Sequence, residues 1–140
     1  DATVFRHNNY TVVEKGNFDT VFQRLKNEEF DYCTFGANEV MGIFKNRASK
    51  FEELIIEENL LLFYPFPLVF YVNPIKPSLA KRIEEGFVKI TNSGELDRIF
   101  DSHYGEIKKQ LNLNERKLIE LDNPLIPDEF RDLSPDLESL

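Results

Sequence analysis

The stretch that decides the predicted fold of this sequence is Glu29-Phe30-Asp31-Tyr32-Cys33-Thr34-Phe35-Gly36-Ala37-Asn38-Glu39. Its first part, residues 30–35, is rich in aromatic and other strand-forming residues and stops at Gly36, as a strand does. A helical stretch follows from Ala37 to Phe44. The block therefore predicts a strand that turns through a glycine into a helix.

The residues before this block have the same order. Residues 10–14 are rich in β-branched side chains and are followed by Gly16, which predicts a strand. Asn17 can cap the next helix, whose apolar face is formed at positions i, i+3, i+4 and i+7 by Phe18, Val21, Phe22 and Leu25. Strand, helix, strand and helix in alternation indicate an α/β fold with a parallel sheet flanked by crossover helices.

The remaining elements are predicted from the same patterns. Buried extended segments are expected at residues 54–56, 60–64 and 68–72, and one more short strand at residues 118–121. Helices are expected over residues 2–8, from Ser78 to a glycine stop at Gly94, and along Leu96, Ile99, Phe100, Tyr104 and Ile107. Prolines mark an irregular tail at Pro124, Pro127 and Pro135.

Composition limits the classes of partner. A chain of 140 residues with 41% hydrophobic and 30% charged residues fits about one soluble domain. Its 17 Lys and Arg against 25 Asp and Glu give a net charge of −8, which disfavours nucleic acid and anionic membrane surfaces. No signal segment opens the sequence and no apolar run is long enough for a membrane helix. If the protein is exported, we expect its targeting segment on residues outside this sequence.

The sequence has no pattern typical of catalysis or of cofactor binding. Neither His7 nor His103 has a second ligand at metal-site spacing, and no glycine-rich phosphate loop or nucleophile elbow occurs. Cys33 stands alone in an apolar stretch, which favours a buried structural thiol. Several pairs of carboxylates are adjacent in the sequence. Adjacent side chains point in different directions on a helix, so these pairs favour a solvated face over an acid/base couple. We therefore expect no metal, no cofactor and no enzymatic activity.

The candidate ligand residues follow from the strand-to-helix turn. Open α/β sheets bind ligands beyond the carboxyl ends of their strands, where helix N-termini offer free backbone N–H groups. This rule points to the segment from Thr34 through Gly36 to Asn38 and Glu39. Two interpretations stay open, because Asn38 can equally cap the helix and Glu39 can interact with its dipole.

Several spaced segments resemble the bacterial extracellular solute-binding protein family 3, the periplasmic component of amino-acid ABC transporters. The likeness covers roughly residues 10 to 110, and its motifs are moderately specific because the order agrees although each motif alone is weak. In the second lobe they are Tyr10-Thr11-Val12-Val13-Glu14 and Phe22-Gln23-Arg24-Leu25-Lys26-Asn27-Glu28-Glu29-Phe30-Asp31. Farther on they are Pro77-Ser78-Leu79-Ala80, Ile83-Glu84-Glu85-Gly86-Phe87, Asn92-Ser93-Gly94-Glu95-Leu96 and Ile99-Phe100, closing at Tyr104.

The resemblance implies a periplasmic-binding-protein type II fold in a divergent branch that carries most of one lobe. Residues 1–62 then form the second lobe, residues 63–111 the hinge return and first-lobe helices, and residues 112–140 a C-terminal extension. The family's acidic ligand residue falls at Gly36 by register, with Glu39 the nearest carboxylate, and its first-lobe Arg has no counterpart in this sequence. Tyr64 and Phe66 near the hinge are implied apolar ligand contacts.

The function that the resemblance implies is periplasmic binding of a small polar solute, amino-acid-like in character, for the permease of an ABC transporter. One alternative is a sensory or interaction module derived from the same fold. A second alternative is a hydrolase that uses Glu39 or Asp31. Because one lobe would be uncovered, we also expect a homodimer, formed by segment exchange or by pairing of apolar faces.

Overall fold

The computed structural model describes residues 2–135. Its α-helices are α1 Ala2–His7, α2 Val21–Lys26, α3 Val40–Ile43, α4 Pro77–Asn92 and α5 Glu95–Leu111, and its strands are β1 Leu60–Phe63 and β2 Lys117–Glu120. A π-helical turn, Phe44–Ala48, follows α3, and single 3-10 turns lie at Leu113–Glu115 and Asp128–Phe130. Among these residues, no helix is both long enough and apolar enough to span a bilayer.

The described chain divides into two compact units. One joins the residues up to Phe66 with those from Ile107 onward, and the other is Pro67–Glu106. The first unit therefore contains both strands and the helices α1 to α3.

The sheet consists of β1 and β2, which pair in parallel with Leu60 opposite Lys117 and Phe63 opposite Glu120. The Lys117 N–H donates to the Asn59 carbonyl at 2.7 Å, and the Leu121 N–H donates to the Phe63 carbonyl at 2.7 Å, which extends the ladder at both ends. The parallel pair gives the fold a mixed α/β character. It confirms the predicted strands at 60–64 and 118–121.

The core of the first unit lies between α1 and this sheet. Val4 and Phe5 from α1 are buried together with Leu121. Asn123 is a buried polar residue whose Nδ2 donates to the Pro65 carbonyl at 2.8 Å, while its Oδ1 accepts from the Leu125 N–H at 3.0 Å. Its hydrogen bonds hold the end of β1 and the end of β2 together.

The predicted strands at residues 10–14, 30–35, 54–56 and 68–72 are wrong, because none pairs as a strand within residues 2–135. Side-chain packing on neighbouring helices holds two of these segments instead. Phe35 packs on Phe22 of α2 at a ring distance of 5.8 Å, and Phe70 packs edge-on against Phe87 of α4 at 5.4 Å. Residues 68–72 are also not buried as expected, since Tyr71 is 97% exposed.

The helix predictions differ mainly at the N-terminal ends. The helix expected from Asn17 begins only at Val21, and the Asn17 side chain accepts the N–H groups of Asp19 and Thr20 in the turn that precedes it. The helix expected from Ala37 begins at Val40. The helices expected at 2–8 and from Ser78 to Gly94 are confirmed as α1 and α4, and the last one is confirmed as α5, which continues to Leu111.

Two glycines around α4 should respond in opposite directions to alanine. Gly94 follows the end of α4 with φ +71°, a left-handed conformation that alanine adopts only with strain, so Gly94→Ala should destabilise the fold by about 1 kcal/mol. Gly86 lies inside α4 with open space where a Cβ would stand, so Gly86→Ala should stabilise it by up to about 1 kcal/mol. Thermal unfolding followed by circular dichroism measures both. Shifts of the same sign would contradict the assignment of Gly94 as a helix terminator.

Candidate functional site

An open cleft of about 450 Å³ lies in the first unit, between residues 10–18 and residues 30–35. Val21 and Arg24 of α2 and Ala2 and Phe5 of α1 complete its lining. Its two long sides are the segments that the sequence pattern predicts as neighbouring strands. Because these segments do not pair, the space between them stays open.

Aromatic packing builds one side of the cleft. Phe35 contacts Phe22 and also Phe18, at a ring distance of 5.9 Å, so residues 30–35 are fixed to the start of α2. Arg47 stacks over the Phe18 ring at 4.4 Å and pairs with Asp19 at 2.7 Å. These contacts hold the Phe18 ring at the edge of the cleft.

The other side of the cleft continues from the core. The Tyr10 N–H donates to the Phe5 carbonyl at 3.0 Å, which ends the turn after α1, and the Tyr10 ring meets Phe5 edge-on at 5.4 Å. Val12 packs against the buried cluster of α1 and Leu121. This side is therefore anchored in the best-packed part of the unit.

The ionisable groups in the cleft have physically distinct environments. Burial raises the pKa of the Tyr32 phenol, and Tyr10 and Asp31 raise it further by electrostatic interaction. Burial also raises the pKa of the Cys33 thiol, which is half-buried in the cleft lining and not fully buried as expected. Both groups are therefore neutral near pH 7, where a protonated thiol is a poor nucleophile and metal ligand.

Arg24 supplies a cation to the cleft. Its side chain is only 16% exposed, its Nε donates to Glu29 Oε2 at 2.8 Å, and its guanidinium carbon lies 5.5 Å from the centre of the Phe30 ring. Nη1 lies against the backbone of Gly16, where an added Cβ would stand 2.5 Å away. Three neighbours therefore fix the position of the guanidinium group.

The residues predicted at the strand-to-helix turn separate into two groups. Thr34 lines the cleft, whereas Gly36, Asn38 and Glu39 are not among its lining residues. The Gly36 N–H donates to Glu39 Oε1 at 3.1 Å, and the Glu39 N–H donates back to the Gly36 carbonyl at 3.0 Å. Glu39 thus closes the turn that begins at Gly36. The expected cap by Asn38 is wrong, because the N-cap position of α3 is Glu39 and it has no side-chain cap hydrogen bond.

Tyr64 and Phe66 lie outside the cleft lining, after the end of β1. Tyr64 meets Phe5 edge-on at 6.4 Å and Phe66 at 6.5 Å, and burial raises the pKa of its phenol. Phe5 is the one residue in this group that also lines the cleft. Tyr64 therefore supports the cleft through the core.

Sequence reasoning did not select Arg24, Tyr10, Tyr32 or Phe30 as site residues. A signal for Arg24 exists, because it is three residues after Val21 and therefore lies close to the apolar face of α2. The tyrosines have no such signal, since their place in the cleft depends on two segments remaining unpaired.

The histidines occupy surface positions. His7 Nε2 lies 2.8 Å from Asp122 Oδ2, and His103 Nδ1 lies 2.8 Å from the Ile99 carbonyl within α5. Across residues 2–135, no cluster of three or more His, Cys, Asp and Glu side chains is arranged to hold a metal ion.

Comparison of the chain with models of known protein families, with curated proteins and with solved structures finds no match in any of the three. What the cleft can bind therefore rests on its own residues.

Proposed function

We propose that this chain is a ligand-binding α/β domain of the periplasmic solute-binding type, which holds a small polar solute in the cleft between residues 10–18 and 30–35. The observation that carries the proposal is the cleft itself, with a volume of about 450 Å³, aromatic side chains along its length and one fixed guanidinium group. Ligand sites typically measure about 300–1,000 Å³ and combine apolar walls with a few placed polar groups.

The parallel pairing of β1 and β2 supports this assignment. The two cleft segments precede and follow α2 in the chain, although neither pairs as a strand among the described residues. In a periplasmic-binding-protein type II fold, each lobe is built of strands and helices, and a hinge motion brings a second lobe over the ligand. We propose this finer fold on the strength of the sequence resemblance and the parallel pair together.

The partners in this proposal are a small solute and the permease of an ABC transporter, with the protein in the periplasm. For the chain itself, a second copy is the proposed partner of residues 68–72, where Leu68 and Tyr71 are almost fully exposed. The proposal assigns no chemical reaction to the cleft.

A thermal-shift screen of amino acids and small carboxylates tests the proposed function. A ligand that binds only the folded protein stabilises it by about 2.7 kcal/mol at a concentration of 100 times its dissociation constant. For a chain of 140 residues, we expect the midpoint to rise by roughly 5–10 °C for at least one compound.

Two matched variants locate the binding site. Thr34→Trp places a large ring in the cleft from an exposed position, and we expect it to remove the ligand-induced shift. Thr91→Trp makes the same change on the exposed surface of α4 and should leave the shift intact. A ligand response that survives Thr34→Trp would place the binding site elsewhere and refute the cleft as the binding site.

A further inference from the structure

The Arg24 guanidinium has donors that the protein leaves unused. Its Nε is bound to Glu29, but neither Nη group has a hydrogen-bond partner among the residues that the structure describes. The side chain is 16% exposed and belongs to the cleft lining, and its Nη1 lies close to Gly16, so the guanidinium is partly shielded from bulk water. A guanidinium in this state presents two parallel N–H groups, the geometry that matches a carboxylate.

The surroundings of Arg24 define the rest of the ligand. The cleft is lined by aromatic rings, among them Phe5, Tyr10, Phe18 and Phe30, which suit an apolar body. The lining holds two carboxylates, Glu14 and Asp31, and a second cation, Lys15; Glu14 is paired with Arg6 at 3.1 Å, which lowers the pKa of Glu14. Arg24 is the lining cation that Glu29 and Phe30 hold in place, and in an aromatic cleft its guanidinium suits a ligand with a single negative charge.

We propose that Arg24 binds the carboxylate of a small apolar acid through its two Nη groups, and thereby selects aryl or branched carboxylates over their neutral analogues. This inference rests on the proposed function, because it takes the cleft to be the ligand site. Glu29 and Phe30 act as positioning residues that hold the guanidinium plane, one through Nε and the other by stacking.

Phenylacetate and its neutral amide, phenylacetamide, are the probes that test this inference. Ligand-observed NMR titration of the full 140-residue chain should show that phenylacetate binds at least about tenfold more tightly than the amide, because only the carboxylate completes a charge-assisted pair. Added salt should weaken the binding of phenylacetate and leave the binding of the amide almost unchanged.

Variants at Arg24 distinguish the contribution of its two parallel N–H donors from that of its positive charge. Arg24→Gln should reduce phenylacetate affinity to that of the amide, and Arg24→Lys should recover only part of it, since a lysine keeps the charge and loses the two parallel donors. Lys26→Gln is the matched control, because Lys26 lies on the same helix in an exposed pair with Glu53 and does not line the cleft. It should bind phenylacetate like the unmodified chain.

A second variant keeps the inference testable if Arg24→Gln unfolds the protein. Glu29→Gln removes the competing negative charge but keeps a side-chain carbonyl to accept from Arg24 Nε, so phenylacetate affinity should rise by about two- to threefold. Equal affinity for phenylacetate and the amide, or unchanged phenylacetate binding in Arg24→Gln, would overturn the role of Arg24 and leave the cleft as a binding site. Absence of binding by either probe and by every compound of the thermal-shift screen would overturn both proposals.

Discussion

Replacing Arg116 with methionine should destabilise the protein by about 3 kcal/mol, since three charge-assisted hydrogen bonds are lost at a largely buried site. The Arg116 side chain is 8% exposed and enters the first unit beside the start of β1. Its Nε donates to the Leu111 carbonyl at 2.6 Å, and its Nη1 donates to the carbonyls of Glu57 at 2.5 Å and Leu60 at 3.2 Å. Methionine fills a similar volume but leaves these carbonyls without a donor.

The expected result for Arg116→Met is a fall of roughly 10 °C in the midpoint of thermal unfolding. Arg131→Met is the control in the same unit, because Arg131 is 46% exposed and pairs with the exposed Asp128 at 3.1 Å. Loss of such a surface pair should cost less than about 1 kcal/mol. If the two variants unfold at the same temperature, Arg116 does not join β1 to the end of α5 in the way the contacts indicate.

The importance of Arg116 could not be read from the sequence. In the sequence, Arg116 lies between two other charged residues, Glu115 and Lys117, and nothing marks it as buried. Its acceptors at residues 57, 60 and 111 become neighbours only when β1 pairs with β2. A contact that depends on residues far apart in the chain leaves no local pattern.

Helices were predictable where their signals are local. The apolar residues of α4 recur at helical spacing, and the helix ends just before Gly94, which has a positive φ. Residues close together in the sequence therefore indicate both its apolar face and its C-terminal end. Strands at 10–14 and 30–35 were not predictable in the same way, because a strand requires a hydrogen-bonded neighbour as well as β-forming side chains. Here aromatic packing on α2 holds residues 30–35 without one.

The candidate site was predictable only in part. Of the residues predicted at the strand-to-helix turn, Thr34 lines the candidate cleft, together with the rest of residues 30–35. It did not reveal that Glu39 satisfies the N–H of Gly36, because a carboxylate three residues after a turn fits both a ligand contact and a helix cap. Arg24 was missed for a related reason, as a charged residue beside an apolar helix face is usually solvated.

Replacing Phe5 with alanine should cost about 3–5 kcal/mol, the range for removing a buried aromatic ring and leaving a cavity. Phe5 is buried between α1 and the sheet, and its ring meets Tyr10 edge-on at 5.4 Å and Tyr64 at 6.4 Å. Because Phe5 also lines the cleft, the same change should weaken the binding of any ligand in the cleft. Chemical denaturation measures the stability, and the NMR titration measures the binding.

Two further variants show whether that loss comes from the cavity or from the ring geometry. Phe5→Leu restores most of the apolar volume, so it should cost about 1–2 kcal/mol, with the remainder reflecting the edge-on pairs with Tyr10 and Tyr64. Phe66→Ala removes a ring that is 69% exposed in the same unit and should cost less than about 1 kcal/mol. Only a buried ring leaves a costly cavity when it is removed. Equal destabilisation by Phe66→Ala and Phe5→Ala would therefore contradict a core that contains Phe5 and leaves Phe66 exposed.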